Sequence, residues 1–350
     1  MNISKNINVF RRNLMQSITK NIGSSHIKRN IDLTAKVEIK RILICRPNAR
    51  LGNLLLITPL VQEVTATFPQ CKIDLFVKGF LAPIIFKNYE NINHIIELPK
   101  KPFENLISYF KVWIKIKRQH YDIAINVDKN SSSGRLAAQF ANAKYKFFGE
   151  VDEDFQLKYE NYEHMAKYPV YNFRSFLTQL GFKKNENPIA SLDLKLSPLE
   201  IAEGHEALKK MVNNEKKTIC LFTFATGDKC YSESWWEEFY ARLKKEYQNY
   251  NFIEVLPIEN ISKIGFKEPT FYSKNVREIG ALIANTELFI GADSGIMHLA
   301  SSVKTPTAGL FSSTNQNRYQ PYNNNSVAIN TNITTIDEWI KVLNKILIKD

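Results

Sequence analysis

The sequence predicts an α/β protein made of two successive halves, each built around a parallel sheet. Short apolar runs, typical of buried parallel strands, alternate with segments of helical periodicity, which indicates βαβ units. The alternation restarts after a polar, proline-containing stretch at 183–198. With 350 residues, 44% of them hydrophobic, the chain is long enough for two cores. We expect domains at 37–190 and 191–350, preceded by a leader at 1–36.

The first half has strand-like apolar runs that are too short to be read as buried helices. Strands are predicted at 41–45, 73–77, 95–98 and 123–127, and helices at 54–68, 80–87, 103–118 and 134–142. Each predicted helix can therefore cross over between parallel strands, as in a βαβ unit.

The second half repeats this order. Strands are predicted at 218–222, 252–256, 288–291 and 307–311. Helices are predicted at 234–247, 276–284 and 336–348, and a further helix is predicted to begin directly after the third strand. Ligands of open parallel sheets bind beyond the carboxyl ends of the strands, so two facing halves enclose a central cleft. The turns that follow these strands are the candidate ligand loops.

Composition limits the cellular setting and the kind of site. Uninterrupted apolar runs stay below the roughly 18 residues needed to cross a bilayer, and the N-terminus lacks a secretory signal pattern, so we expect a cytoplasmic protein, soluble or peripheral. Cys45, Cys71, Cys220 and Cys230 are widely spaced and form no CxxC pair. They are expected to be reduced core residues and not metal ligands.

The basic charge is concentrated at the start of the chain. The net charge is +12, and residues 1–40 hold eight basic side chains against Asp32 and Glu38. Apolar residues recur there at helical spacing: Ile3, Ile7, Phe10, Leu14 and Ile18. Such a leader can lie on an anionic membrane surface, or it can be a solvated tail. No nucleic-acid recognition motif accompanies the charge, so nucleic acid is not an expected partner.

Asp293-Ser294-Gly295 stands between an apolar strand and a helix that carries His298. A strand that ends in small polar residues and opens a helix leaves backbone N–H groups directed at one spot, which suits a phosphate. The simpler alternative is that Ser294 only caps the helix. In the same half, the turn after Phe222 contains Thr226 and Lys229, which can hold phosphate oxygens, and Ser234, predicted to cap the next helix.

The first turn of the chain runs from Arg46 through Arg50 and Gly52 to Pro59. It lacks the G-x-G-x-x-G pattern of nicotinamide or flavin folds, which argues against a dehydrogenase. One glycine and two arginines indicate a loop that approaches a charged ligand closely, or else a cationic surface loop.

Together these segments resemble glycosyltransferase family 9, the lipopolysaccharide ADP-heptose heptosyltransferases. The matching motifs are Leu51-Gly52-Asn53 with Thr58-Pro59, the loop 226–236, and 291–300 followed by Thr305-Pro306 and Arg318-Tyr319-x-Pro321-Tyr322. The resemblance spans about residues 40–325. It implies a GT-B fold, with two Rossmann-like domains facing a central cleft, and an inverting transfer that requires no metal or cofactor.

The resemblance also implies donor-binding residues in the C-terminal domain. Thr226 and Lys229 correspond to phosphate contacts, and Asp293, Ser294 and Gly295 to the turn around the diphosphate and sugar. His298 follows on the same helix, and Glu259 is a weaker match to a ribose-binding acid. Positive side chains and helix N-termini can stabilise a nucleoside diphosphate leaving group in place of a metal.

Asn53 departs from the family pattern, because the heptosyltransferases place an aspartate there that acts as the base. An amide cannot accept the acceptor's proton as a base. Three explanations are compatible with this change. Asn53 orients the acceptor while another carboxylate, Asp128, is the base; or leaving-group departure dominates and the base matters little; or the protein binds a sugar nucleotide without transferring it.

The N-terminal domain is implied to receive the acceptor, a glycolipid or polysaccharide precursor. Cations suited to an anionic acceptor are Arg46, Arg50, Lys129 and Arg135, with the basic face of 111–118 and His164 as further candidates, although each is equally compatible with an ordinary surface charge. The expected function is heptose transfer from ADP-heptose at the cytoplasmic face of the inner membrane, and another nucleotide sugar is an alternative donor.

Overall fold

The computed structural model describes residues 38–99, 106–150 and 153–347, together with Gly23. The predicted leader at 1–36 therefore lies outside the described residues except for that glycine, and so does the start of the helix predicted at 103–118. Within the described part, no helix is long and apolar enough to cross a membrane.

The first sheet is parallel throughout, with the strand order β3-β2-β1-β4-β5. Its strands are β1 (Arg41–Arg46), β2 (Lys72–Lys78), β3 (Ile92–Leu98), β4 (His120–Asn126) and β5 (Asn142–Phe147). Ile42 of the central strand pairs with Ile73 on one side and Ile123 on the other. Side chains of β1 alternate between two cores: Ile42 and Ile44 face one, and Leu43 and Cys45 the other. Helices therefore cover both faces, as a buried parallel sheet requires.

The helices of this half are α1 (Leu51–Leu55), α2 (Thr58–Thr67), α3 (Ala82–Ile85), α4 (Leu106–Arg118), α5 (Ser132–Phe140), α6 (Glu153–Lys158) and α7 (Tyr168–Gln179). The segment predicted as one helix at 54–68 is two helices. Pro59 occupies the first turn of α2, where it is tolerated but cannot continue an α1 hydrogen-bond ladder.

The second sheet is also parallel, with the order β11-β10-β9-β6-β7-β8. Its strands are β6 (Thr218–Phe222), β7 (Asn251–Val255), β8 (Thr270–Phe271), β9 (Leu288–Ala292), β10 (Thr307–Phe311) and β11 (Val327–Asn330). The helices are α8 (Pro198–Val212), α9 (Glu233–Glu246), α10 (Val276–Ile283), α11 (Gly295–Ser302), α12 (Gln316–Tyr319) and α13 (Ile336–Leu347). These two sheets confirm the predicted α/β class.

Sequence reasoning misplaced one cap and missed several elements. Ser232, and not Ser234, caps α9, because its hydroxyl accepts the Trp235 N–H at 3.1 Å. The elements not predicted are β5, α6, α7, α8, β8, α12 and β11. The edge strand β5 alternates polar and apolar residues without an apolar run. The start of α8 carries a capping box, in which Ser197 and Glu200 each accept a backbone N–H of the other.

The cysteines behave as expected of core residues. Cys45, Cys71 and Cys220 are buried and Cys230 is half-buried, and all four are free thiols. Burial raises the pKa of the Cys45, Cys71 and Cys220 thiols, so they stay protonated.

The two halves are joined by a shared core and by a buried arginine. One apolar cluster includes Leu55 of the first half together with Phe222 and Met297 of the second. Arg277 of α10 donates to Glu200 at 2.5 and 2.7 Å, to the connecting segment at the Leu194 carbonyl, and to the first half at the Ile84 carbonyl, 3.2 Å away. These contacts hold the carboxyl edges of the two sheets against each other.

Candidate active site

The turn Asp293-Ser294-Gly295, predicted to bind the donor and called the donor-side turn below, follows the end of β9. The Asp293 backbone N–H donates to the Leu310 carbonyl at 3.0 Å, which fixes the turn against the neighbouring strand. The Asp293 carboxylate is almost fully buried and forms an ion pair with Lys229, with 2.6 Å between Nζ and Oδ2. Lys229 comes from the turn after β6, so the two predicted phosphate loops converge.

Ser294 caps α11, and the helix start still keeps free donors. Its hydroxyl accepts the Met297 N–H at 3.2 Å, as the simpler interpretation of Ser294 expects. The N–H groups of Gly295 and Ile296 lie in the first turn, where no intrahelical carbonyl can accept them. Capping and anion binding are therefore compatible at this helix end, and the helix dipole favours negative charge there.

His298 lies one turn into α11, with 4% of its surface exposed. Its Nε2 is 3.9 Å from Asp293 Oδ1. Burial lowers the pKa of His298 to about 4; Asp293 acts to raise it and Lys229 to lower it further. The imidazole is therefore neutral at pH 7, and Lys229 is the cation of this cluster.

The loop that carries Thr226 and Lys229 leaves room for a ligand. Thr226 is exposed and precedes a short 3₁₀ turn, Gly227–Lys229. Gly227 has a φ of +66°, and a Cβ added there would meet nothing within 4 Å. The loop is therefore open to solvent at Gly227, while the ammonium of Lys229 is fixed by its ion pair with the buried Asp293.

Arg46 lies at the centre of a cluster with Asp128 and Asn53, two residues predicted to act on the acceptor. It ends β1, is 5% exposed, and donates through Nη1 to Asp128 at 2.7 Å and through Nη2 to Asn53 at 2.8 Å. The other Asp128 oxygen accepts the Asn130 N–H at 3.0 Å. Because the Asn53 oxygen accepts from Arg46, the Asn53 amino group must point away from the guanidinium. One planar fork thus sets the orientation of both predicted catalytic side chains.

The two clusters meet where α1 crosses α11. A Cβ added to Gly52 would lie 2.6 Å from His298 Cδ2, and one added to Gly295 would lie 3.1 Å from the Leu51 Cβ. Glycine at both positions lets the helices approach at backbone distance. Asn53 therefore neighbours a residue in direct contact with the donor-side histidine, and the structure brings the two motifs to one junction.

The chain is similar to known proteins of one family. The family model for glycosyltransferase family 9 (heptosyltransferase) matches residues 274–340, which contain the Asp293 turn and His298. Lipopolysaccharide heptosyltransferase 3 of Escherichia coli is 23% identical over 299 residues, covering 79% of this chain and 85% of the relative. Lipooligosaccharide heptosyltransferase 2 of Haemophilus influenzae is 26% identical over 313 residues, covering 82% and 88%. The chain is a glycosyltransferase, and it is similar to the heptosyltransferases of family 9.

Solved structures confirm the predicted GT-B fold of this glycosyltransferase. A family 9 glycosyltransferase from Veillonella parvula superposes with a TM-score of 0.70 at 17% identity, covering 89% of this chain and 98% of the other. The ADP-heptose lps heptosyltransferase II of E. coli gives 0.65 at 16% identity, covering 88% and 98%. E. coli heptosyltransferase WaaC with ADP gives 0.59 at 14% identity, covering 87% and 99%.

The other predicted site residues of the glycosyltransferase fall into two groups. Arg50, Lys129 and Glu259 are exposed on loops. Arg135 and His164 are buried: Arg135 donates to the Gly23 carbonyl at 2.7 Å and stacks over the Phe148 ring. The acceptor roles of Arg50, Lys129, Arg135 and His164, and the ribose role of Glu259, stay predictions.

His164 connects the two halves. Its Nδ1 accepts the Ala166 N–H at 3.2 Å, so its proton is on Nε2, which lies 2.8 Å from the Gln320 carbonyl. Burial lowers the pKa of His164 to about 4, although the Gln320 hydrogen bond favours the charged form. The imidazole is therefore a neutral donor at the domain junction.

Sequence reasoning assigned no role to Tyr319, which the structure places at the donor-side cluster. Its ring centroid is 5.8 Å from Lys229 Nζ and 6.5 Å from the His298 ring. The neighbouring Arg318 carbonyl accepts the Met165 N–H at 3.0 Å. The resemblance contained Tyr319 in its motif, which was the available signal, but only the fold shows that the ring flanks Lys229.

Proposed function

We propose that this glycosyltransferase moves a sugar, most simply heptose from ADP-heptose, to a hydroxyl of a lipopolysaccharide core or other surface-glycan acceptor. The transfer inverts the anomeric centre, needs no metal, and takes place at the cytoplasmic face of the inner membrane. One observation carries the proposal: the Lys229–Asp293 ion pair lies at the start of α11, and α11 itself contacts the Gly52-Asn53 turn of the other half. The names of the relatives, which are heptosyltransferases of lipopolysaccharide or lipooligosaccharide, support the choice of donor and acceptor.

Charge balance at the donor side favours a diphosphate leaving group. A diphosphate at the α11 N-terminus meets the N–H groups of Gly295 and Ile296 and the ammonium of Lys229. Lys229 then lies between two anions, the phosphates and Asp293, so it neutralises repulsion that would otherwise exclude the donor. Negative charge that grows on the leaving oxygen is stabilised by these fixed groups, which replaces the usual role of a metal ion.

On the acceptor side we assign Asp128 as the base and Asn53 as the group that orients the acceptor hydroxyl. Asp128 has about a quarter of its side chain exposed, so an acceptor can reach it. The hydrogen bond from Arg46 fixes the orientation of this carboxylate. A carboxylate is a weak base, which suits a loose transition state in which departure of the nucleotide leads proton transfer.

A nucleotide-sugar panel tests the donor. Ligand binding to the folded state raises apparent stability by mass action, by about 2.7 kcal/mol at a hundredfold excess over Kd. We expect ADP-heptose to raise Tm by several degrees and UDP and GDP sugars to have little effect. Lys229→Ala should abolish the shift. Lys216→Ala, an equal charge change at an exposed residue before β6, should not. A shift with UDP or GDP sugars alone would reassign the donor, and no shift with any nucleotide sugar would reject the site.

Transfer itself is tested by ADP release in the presence of a core oligosaccharide that lacks the terminal heptose. The relatives are named as transferases, so the non-catalytic alternative is not favoured. Tight donor binding without any release of ADP, over a range of acceptors, would revive that alternative.

A further inference from the structure

The helix Leu106–Arg118 presents an apolar row to solvent although it already buries its other side. Tyr109, Val112, Trp113 and Ile116 pack into the core of the first half. On the opposite side the exposed fractions are 51% for Leu106, 72% for Ile107, 61% for Phe110 and 48% for Ile114. A contiguous row of exposed large apolar side chains marks an interaction surface in a soluble domain.

The same helix and the adjacent strand Asn142–Phe147 carry basic side chains and no acidic ones. The helix has no acidic residue, and its exposed basic residues are Lys111, Lys115, Lys117 and Arg118. The adjacent strand Asn142–Phe147 adds Lys144 and Lys146. Burial lowers the pKa of Lys146, and the positive charge of Lys117 lowers it further. A partner with negative charge would relieve the repulsion between these two cations.

Most apolar and basic side chains of the outward face occupy adjacent sectors. At 3.6 residues per turn, Leu106, Phe110, Ile114 and Ile107 fall within an arc of roughly 100°, and Arg118, Lys111 and Lys115 fill the next sector, while Lys117, near the end of the helix, falls within the apolar arc. A concavity of about 440 Å³ lies in the basic sector, lined by Lys111, Ile114, Lys115, Arg118 and Gln119. An apolar stripe flanked by cations is the pattern of a helix that lies in a membrane interface.

We propose that this face docks the enzyme on an anionic phospholipid bilayer, with the apolar row inserted between lipids and the basic sector against their phosphates. The proposal rests on and deepens the proposed function, which places the transfer to a lipopolysaccharide core at the face of a membrane. The helix is the next described element after strand Ile92–Leu98, so it begins on the side of the carboxyl edge of the first sheet. Docking through its apolar end would bring that edge, which carries Arg46 and Asp128, towards the lipid surface.

Charge complementarity favours anionic lipid over two other possible occupants of this face, a second copy of the chain and the chain's own leader. A second copy of the chain would bring the same cations against themselves in a two-fold interface. The leader at 1–36 has seven basic side chains against the single acidic Asp32, so it too is repelled. Anionic lipid satisfies both sectors at once, and each cation near such a surface contributes attraction that salt screens.

Vesicle co-sedimentation of the full chain tests the surface. Vesicles of phosphatidylcholine are compared with vesicles that contain about 30% phosphatidylglycerol. One variant removes the apolar row (Ile107→Ser, Phe110→Ser, Ile114→Ser), and one removes charge (Lys111→Gln, Lys115→Gln, Arg118→Gln). Matched controls change helix Pro198–Val212, which also exposes apolar and basic residues but carries acidic ones: Leu199→Ser with Ile201→Ser, and Lys209→Gln with Lys210→Gln.

We expect the parent chain and both controls to bind only the anionic vesicles. Each helix variant should partition roughly tenfold or more weakly, with an unchanged Tm. Unaltered binding by both helix variants would overturn the proposal and assign binding to the leader. A dimeric parent with monomeric variants would also overturn it and assign the face to a second copy. Donor-induced Tm shifts, measured on the same proteins, report separately on the proposed function.

Discussion

Three variants of the Arg46 cluster test whether Asp128 is the base in this enzyme: Asp128→Asn, Asn53→Asp, and the two combined. The combination moves the carboxylate from one guanidinium nitrogen of Arg46 to the other. Asp128→Asn removes the anion from a guanidinium whose side chain is 6% exposed. Breaking a buried pair costs about 3 kcal/mol or more, and the amide introduced by this substitution can still accept a hydrogen bond, so we expect about 3 kcal/mol. If Asp128 is the base, kcat should also fall roughly 10²- to 10⁴-fold.

Asn53→Asp combined with Asp128→Asn restores one carboxylate to the same guanidinium. Arg46 holds the two positions at 2.8 and 2.7 Å, so the ion pair re-forms with similar geometry. Stability should return to within about 1 kcal/mol of the parent. Because position 53 is next to the helix Gly295–Ser302, we expect kcat to recover at least about tenfold over Asp128→Asn, which is part of the 10²- to 10⁴-fold that a general base contributes.

Asn53→Asp alone places two carboxylates on one guanidinium. Their mutual repulsion at about 5 Å is about 3 kcal/mol at an effective dielectric constant of 20, and the attraction of the new carboxylate to Arg46 is of similar size. The free energy of unfolding of the Asn53→Asp variant should therefore stay close to that of the parent. Urea denaturation and ADP release would be measured for all three variants. Parental kcat in Asp128→Asn would refute the assignment of the base, and an exchange variant as unstable as Asp128→Asn would refute the bridging role of Arg46.

Three further predictions concern the domain junction. Gly52→Ala puts a methyl group 2.6 Å from the buried His298 ring, so it should cost about 1–3 kcal/mol and weaken donor binding; an unchanged donor-induced Tm shift would contradict the contact. His298 and His164 have pKa values of about 4, below the ordinary 6.5 of an unfolded histidine. The unfolded chain therefore binds more protons between pH 6.5 and 4, and the free energy of unfolding should fall through that window by up to about 3 kcal/mol for each histidine. Urea titrations at both ends check this, and stability that rises on acidification would oppose it. Arg277 holds the pKa of Glu200 at about 2, and Arg277→Met leaves that carboxylate with Lys87 as its cation, 3.6 Å away. The substitution should cost about 3 kcal/mol in urea denaturation; a stability equal to that of the parent would show that the Arg277 contacts do not join the halves.

The sequence was sufficient for features whose chemistry is local. A strand followed by Asp293-Ser294-Gly295 is a short continuous pattern, and the structure places a capped helix and an ion pair there. The same holds for the central strands, whose apolar runs leave little choice of fold. The family resemblance added the GT-B fold and the type of enzyme, which the comparisons confirm.

Contacts between distant segments could not be read from the sequence. Arg46 and Asp128 are 82 residues apart, and nothing in either turn shows that one guanidinium holds both Asp128 and Asn53. The contact of Gly52 with His298 depends on how two helices of different halves cross. Likewise, helix Leu106–Arg118 has apolar residues on several sides, and only the packed sheet determines which of them stay outside.

These long-range contacts change which cations can meet an acceptor. Arg46 is committed to Asp128 and Asn53, and Arg135 to the Gly23 carbonyl. Arg50 and Lys129 are exposed on the loops that follow strands Arg41–Arg46 and His120–Asn126, at the carboxyl edge of the first sheet. If the proposed function holds, Arg46 acts by holding Asp128 and Asn53 in place. We therefore expect acceptor charge to be bound by the exposed Arg50 and Lys129, and charge-removing variants of these two residues to raise the KM for the acceptor.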